Sequence, residues 1–300
     1  MKNYLLILSV LITIGLIIGT YYYQNQNHYT TLPQLNQPNN HQENTTNVPQ
    51  ATPLQPVTNE QISYSLQNDE LNITYNSGID WIQVPIQKDL LFNGEYQGNQ
   101  QELIDGSYML TEERAVFLYR QAGIMLKYSL DQGKTWKESV VAETFPVLRF
   151  RKVEFLNDDF GYVIASGDRT MSSEYSTAFL TYDGGETWKA TAEPPTLRLI
   201  AYGGFVDENT GFLSYGTINP EEPDVYVTQD GGDSWSKANF HHNKRFVQAE
   251  VPFKEEDHLA VLVNQGPNGD YKGGLVKGKF ISTDNGLTWE FQEELEPDGR

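Results

Sequence analysis

The chain has 300 residues, no cysteine and a formal net charge of −19 at pH 7. The missing cysteines exclude a disulfide framework and any Cys-based metal site. The charge excludes nucleic acid and anionic lipid surfaces as partners of the folded part, since both demand a cationic surface.

Residues 1–60 carry only Lys2, Glu43 and Glu60, so almost all of the charge falls on residues 61–300. Residues 5–23 contain no charged side chain. As a helix they reach roughly 28 Å, close to the thickness of a bilayer's hydrocarbon core. No alanine precedes Ala51, so an Ala-x-Ala cleavage site for a signal peptide is missing, and a lipoprotein signal would require a cysteine. Residues 1–23 are therefore expected to form a single uncleaved membrane anchor. Lys2 precedes the span and no Lys or Arg follows it before Lys88. The positive-inside rule then puts the N-terminus in the cytoplasm and the rest outside the cell membrane. Residues 24–60 are dominated by Gln, Asn, Thr and Pro, which cannot bury enough apolar surface to offset ordering entropy, and they read as a disordered linker.

From Gln61 the texture changes to short apolar runs rich in Tyr, Val, Ile and Phe, broken by Gly, Asn, Asp and Pro, which predicts many short strands. All five tryptophans end the same octapeptide: TYNSGIDW (74–81), SLDQGKTW (129–136), TYDGGETW (181–188), TQDGGDSW (228–235) and STDNGLTW (282–289). The shared pattern is Ser/Thr-x-Asp-x-Gly-x-Thr/Ser-Trp, at a period that signals a repeat architecture. Upstream of the later boxes a bulky apolar residue precedes a second apolar run by six positions, as in Phe155 to Gly161 and Phe205 to Gly211. Each unit thus reads as strand, tight turn, strand, a third strand into the box, and a fourth leaving from the tryptophan. The fold class is all-β, a β-propeller of about five four-stranded blades spanning residues 61–300. Complete blades fall at 100–143, 144–193, 194–240 and 241–296. The first, 61–86, is incomplete: either a short blade, or strands that close the ring by joining the last blade.

Every position of the box has a structural task. Asp131, Asp183, Asp230 and Asp284, with Asn76 in the first unit, accept hydrogen bonds from turn amides. The glycine supplies a positive φ. Trp81, Trp136, Trp188, Trp235 and Trp289 bury a ring between sheets. With these residues the chain resembles the Asp-box, or BNR-repeat, family of β-propellers. That family includes sialidases and non-catalytic members similar to photosystem II assembly factors. The wording at 183–188 and 230–235 looks most like the non-catalytic branch. The resemblance implies that the boxes are structural and lie away from the ligand face. The first box departs from it, with Asn76 for Asp and Asp80 for Thr, so a looser turn is expected there.

Propeller geometry puts the turns between second and third strands, and the blade connections, on the face opposite the boxes. The long irregular segments lie there: 166–177, 216–224 and 264–277. Long loops on a rigid scaffold are where binding resides. Arg149 and Arg151, Arg198, and Arg245 stand ahead of the first strands of three successive blades. Converging at the mouth of the channel, they would clamp a carboxylate or phosphate; the alternative is that each pairs with a nearby acid. Tyr271 joins them as a candidate ligand-binding residue. A sialidase further needs an Arg-Ile-Pro motif, a Tyr–Glu pair and an Asp acid. No Arg precedes Arg114, and nothing in spacing selects Tyr271 or Asp270 for a catalytic role. His241-His242 is not a metal site, because neighbours in a strand point to opposite faces. No catalytic residue, cofactor or metal is expected. Two readings emerge: a non-enzymatic membrane-tethered module binding a protein or cell-envelope glycan, favoured because the catalytic set is missing, or a sialidase-like hydrolase of anionic sugars.

Overall fold

The computed structural model describes residues 53–241 and 245–297. The expected anchor, and the linker as far as residue 52, lie outside the described residues, as do His242 and Arg300. Among the described residues no helix is long and apolar enough to cross a membrane. Residues 53–60, assigned to the linker on composition, are bonded to the first sheet. The Val57 amide donates to Tyr64 O at 2.9 Å, and the Thr58 amide and hydroxyl reach Ser63 Oγ at 3.1 and 3.0 Å.

The described residues fold into five sheets in sequence order. The first contains β1 (Ser63–Ser65), β2 (Asn72–Thr74) and β3 (Ile82–Gln83). A short helix α1 (Lys88–Phe92) leads to the second, built of β4 (Tyr108–Leu110), β5 (Ala115–Arg120), β6 (Ile124–Ser129) and β7 (Lys137–Ala142). The third holds β8 (Leu148–Phe155), β9 (Gly161–Thr170), β10 (Ser173–Thr181) and β11 (Lys189–Ala190). The fourth holds β12 (Ile200–Phe205), β13 (Gly211–Tyr215), β14 (Asp224–Thr228) and β15 (Ser236–Lys237). In the fifth are β16 (Asn239–His241), β17 (Gln248–Ala249), β18 (Phe253–Glu255), β19 (His258–Asn264), β20 (Lys277–Ser282) and β21 (Thr288–Leu295).

The middle three sheets are four-stranded antiparallel meanders at the expected places, and the first sheet has three strands. The fifth differs from the expected four strands for two reasons. Its innermost strand is split into β17 and β18, both paired with β19, because Pro252 between them has no N–H to donate. Its outer edge is covered by β16, which comes from the connection after the fourth sheet and runs parallel to β21.

Apolar clusters fill each gap between successive sheets. Ile73 and Phe117 meet between the first and second, Leu126 and Phe155 between the second and third. Ile164 and Leu213 meet between the third and fourth, Val227 and Phe280 between the fourth and fifth. The Phe-to-Gly pairs explain themselves here. Phe155 is the register partner of Gly161, and a Cβ on Gly161 would lie 2.5 Å from the Phe155 ring. Glycine lets the ring lie flat over the partner strand.

The first sheet stands by itself and does not join its strands to the fifth. Among the described residues, no hydrogen bond, ion pair or shared core cluster connects these two. The outward side of the fifth sheet is polar: Lys277 pairs with Glu250 at 2.6 Å, and Lys279 and His258 both reach Glu255, at 2.7 and 3.2 Å. A polar outer face is how terminal repeats end a stack of apolar interfaces.

Candidate functional site

The box turns are closed hydrogen-bond networks. In the third sheet Thr181 Oγ1 donates to Asp183 Oδ1 at 2.8 Å and accepts from the Gly185 amide at 2.9 Å. Asp183 accepts in turn from the Thr187 amide (2.9 Å) and hydroxyl (2.5 Å). Gly185 has φ +98°, as the turn requires. Asp131, Asp230 and Asp284 repeat the arrangement. The Thr135 hydroxyl and amide and the Ser129 hydroxyl hold Asp131 at about 2, well below the ordinary carboxylate. In Asp183 some desolvation works the other way, and the Thr187 and Thr181 bonds outweigh it, again giving about 2.

The first box keeps this network and is not looser. Asn76 Oδ1 accepts from the Asp80 amide at 2.9 Å, and Asn76 Nδ2 donates to Asp80 Oδ2 at 2.9 Å. The two substitutions exchange donor and acceptor, so the carboxylate is moved to the other end of the same bond. The indole N–H of three tryptophans is satisfied: Trp188 by Ser139 Oγ and Gly185 O, Trp235 by Ala192 O, Trp289 by Gly286 O. These bonds tie the box side chains into their own turns.

The box side nevertheless holds a cleft of 840 Å³ between the second and third sheets. It is rimmed by Glu112, Glu113, Asp158, Asp159, Asp183 and Glu186. On its floor Arg114 donates to Gly184 O (3.0 Å) and Asp158 O (2.7 Å) and lies 4.0 Å over the Phe155 ring. Arg114 thereby clamps one blade's turn to the next blade's box. The short, alike box-side turns gave no sign of this cleft in the sequence.

The candidate arginines do not form one clamp; each is held by its own partner. Arg149 makes a two-pronged bond to Glu174, Nε and Nη2 both at 2.5 Å, and reaches Ile200 O at 2.6 Å. Arg151 is 3 % exposed and donates to Leu91 O (3.1 Å) and Asn93 O (2.7 Å) at the C-terminal end of α1. Burial first, then repulsion from Arg120, lowers its guanidinium to about 10. Arg245 pairs with Glu294 at 3.2 Å and lies 4.3 Å over the Tyr271 ring, whose hydroxyl donates to the same Glu294 at 3.2 Å. Arg198 bonds Asp224 through Nη1 alone, at 2.8 Å. Glu174, which the sequence did not single out, is the node: it also accepts from Ser166 Oγ (3.0 Å) and the Ile200 amide (2.6 Å). Its only signal was an acid at the start of an otherwise uncharged strand.

Around Arg198 the loops opposite the boxes interlock. The Glu174 amide donates to Leu197 O at 2.7 Å, and Ser173 bridges Arg198. The Gly216 amide donates to Leu199 O at 3.1 Å, Gln248 Nε2 to Gly216 O at 3.1 Å, and Asn268 Nδ2 to Asn219 Oδ1 at 2.8 Å. These bonds brace a cleft of 340 Å³ lined by Ser172, Ser173, Leu197, Arg198, Leu199, Gly216, Thr217 and Ile218. Leu197 is 64 % exposed, Ile218 44 %, and Met171 at the adjoining hairpin tip 89 %. The box side also exposes Ile79, Leu130, Leu156 and Tyr182; Leu130 and Leu156 line the acidic cleft, where six carboxylates stand beside them, whereas the Arg198 cleft has no acid in its lining.

Five twisted sheets in chain order, each of the first four handing a core to the next and each carrying one Asp-box turn, define a β-propeller of the Asp-box type. The chain belongs to the family described as DUF6242 beta propeller domain, whose profile matches residues 18–264, and a BNR/Asp-box repeat profile matches residues 280–291. Among curated proteins no relative matches. Solved structures similar to the chain include YCF48 bound to D1 peptide, at 12 % identity and TM-score 0.42 over 80 % of this chain and 81 % of that one. A protein from Dyadobacter fermentans aligns at 12 % identity and TM-score 0.41, over 80 % and 73 %. The NanB sialidase of Streptococcus pneumoniae aligns at 14 % identity and TM-score 0.34, over 66 % of this chain and 32 % of that chain. At these values none of the three bears on activity or ligand.

Proposed function

We propose that the chain is a membrane-tethered, extracytoplasmic propeller that binds a protein or cell-envelope glycan through the loops opposite its boxes and catalyses no reaction. The observation that carries this reading is the braced cleft at Arg198, with Leu197, Ile218 and Met171 exposed around it. Exposed aliphatic side chains gathered on cross-linked loops are what a docking surface requires. The tether rests on the charge-free run at residues 5–23 and the lone Lys2 before it.

The hydrolase reading draws on the Tyr271–Glu294 bond beneath Arg245. Arg149, Arg151 and Arg198 are held elsewhere, so the multiple-arginine clamp on an anionic sugar is missing, and binding is the better reading. The test exposes the full-length chain in mild detergent to an envelope-protein peptide array, a glycan array and a fluorogenic sialoside. Binding that disappears with Leu197→Glu and Ile218→Glu, without sialoside turnover, is the expected result. Turnover lost in Tyr271→Phe would reverse the order of the two readings.

A further inference from the structure

We infer that the Arg198 cleft recognises a polypeptide segment in which a carboxylate adjoins an aliphatic side chain; this rests on the loop-side binding reading above. The guanidinium supplies the first half. Only its Nη1 is engaged, by Asp224, and among the described residues nothing bonds Nε or Nη2. Its side chain is 46 % exposed while that of Asp224 is 5 % exposed, so the anchored edge is buried and the other edge faces outward. Asp224 is also shared with Lys237 at 3.4 Å, which in turn reaches Glu222 at 3.6 Å. Arg198 is the sole charged residue among those lining the cleft. Gly216 lies beside the guanidinium: a Cβ there would make ordinary contact with Nη2 at 3.8 Å and press on Pro220 at 3.1 Å, and its φ of +101° disfavours any side chain. An anchored guanidinium with a free Nε–Nη2 edge presents the two parallel donors that a carboxylate accepts bidentately.

The walls supply the second half. Leu197, Leu199 and Ile218 are aliphatic, and the lining has no aromatic ring on which a sugar would stack. The Thr217 hydroxyl is spent on Leu199 O and Ile200 O at 3.3 and 3.1 Å, which leaves few polar groups for the many hydroxyls of a glycan. A volume of 340 Å³ is at the small end of ligand sites. It accommodates a carboxylate and one neighbouring side chain, with Met171 extending the apolar surface along the partner. The chain's net charge of −19 works against acidic partners everywhere else, so this local donor pair sets where an acidic segment can settle.

The experiment screens the full-length chain in mild detergent against a positional-scanning pentapeptide library, prepared once with amidated and once with free C-termini. The expected selection is Asp or Glu beside Leu, Ile, Val or Met, with Asn or Gln analogues at least roughly tenfold weaker. Amidated peptides isolate side-chain carboxylates, and a gain confined to the free-acid set assigns the carboxylate to a chain terminus. Arg198→Ala should abolish the acid preference. Leu197→Glu, at an exposed position, should repel the peptide without disturbing the fold. Selection of uncharged or basic peptides that still depends on Leu197 and Ile218 overturns the carboxylate and leaves the loop-side reading standing. Peptides insensitive to Leu197→Glu but lost with Leu130→Glu on the box side overturn both. No selection of any peptide, or sialyllactose binding that depends on Arg198, overturns the polypeptide.

Discussion

Replacing Glu174 by alanine should be the most damaging single change to the loop platform. The Glu174 side chain is fully buried and accepts four hydrogen bonds: two from Arg149, one from Ser166 and one from the Ile200 amide. Truncation leaves a guanidinium that is 17 % exposed without its counter-charge, and a buried amide without its acceptor. Removing one partner of a buried pair destabilises by about 3–5 kcal/mol. For a domain of this size that corresponds to a Tm lower by roughly 6–20 °C. Urea unfolding with an unchanged m-value is the assay, since constant m shows that the folded and unfolded states have kept their compactness. Converting the pair together, Arg149→Leu with Glu174→Leu, removes both charges and should recover most of the loss. A deficit below about 1 kcal/mol for Glu174→Ala, or a double variant worse than the single, would refute the view of Glu174 as the node that fixes the loops.

Three further outcomes are expected from the turns and the core. Trp289 is fully buried, stacked on Phe240 at 5.7 Å and edge-on to Phe212 at 6.1 Å, so Trp289→Ala should destabilise by about 3–5 kcal/mol in urea titrations. Trp81→Ala, at a half-exposed ring, should destabilise less. Asn76→Asp sets two carboxylates against each other where Asn76 Nδ2 now donates to Asp80, and adding Asp80→Thr should restore stability by recreating the common box. Both are read as shifts in the urea midpoint, the single variant's deficit shrinking in high salt. Asp131 has a folded value of about 2, below its ordinary 3.8, so its stabilising effect is complete above the higher value and disappears as pH falls through the lower. Asp131→Asn should therefore be less stable than the parent at neutral pH, with the difference closing as pH is lowered toward 2.

The parts of this fold that were legible in the sequence are those set by local chemistry. An Asp-box is a turn whose donors and acceptors lie within eight residues, so its five copies fixed the sheet count and the register of the third and fourth strands. That the first sheet has fewer than four strands was legible because 61–86 is too short for four, whereas the choice between a short blade and strands joined to the last blade was not. Illegible were the features made by residues far apart. Asn239–His241 carries no turn or pairing signal, and it becomes a strand only because β21 offers a parallel edge and Trp289 offers a ring to Phe240. Arg149 finds Glu174 across 25 positions and Arg151 finds Leu91 across 60, so their recurrence before the inner strands looked like a common clamp. Arg198 differs from them in being nearly half exposed with its Nε–Nη2 edge open to the cleft that Gly216, Thr217 and Ile218 from the next hairpin help to line.

The central claim is that the loops opposite the boxes are the binding surface. A photo-reactive benzoylphenylalanine placed at Leu197 or Ile218, and separately at Leu130 or Tyr182, in the full-length chain inside cells that make it, tests this directly. All four side chains are exposed, so each position tolerates the replacement. Discrete crosslinked partners from positions 197 and 218, with none from 130 and 182, is the predicted result. Crosslinks from 130 and 182 alone would contradict it and move the function to the acidic cleft beside the Asp-boxes.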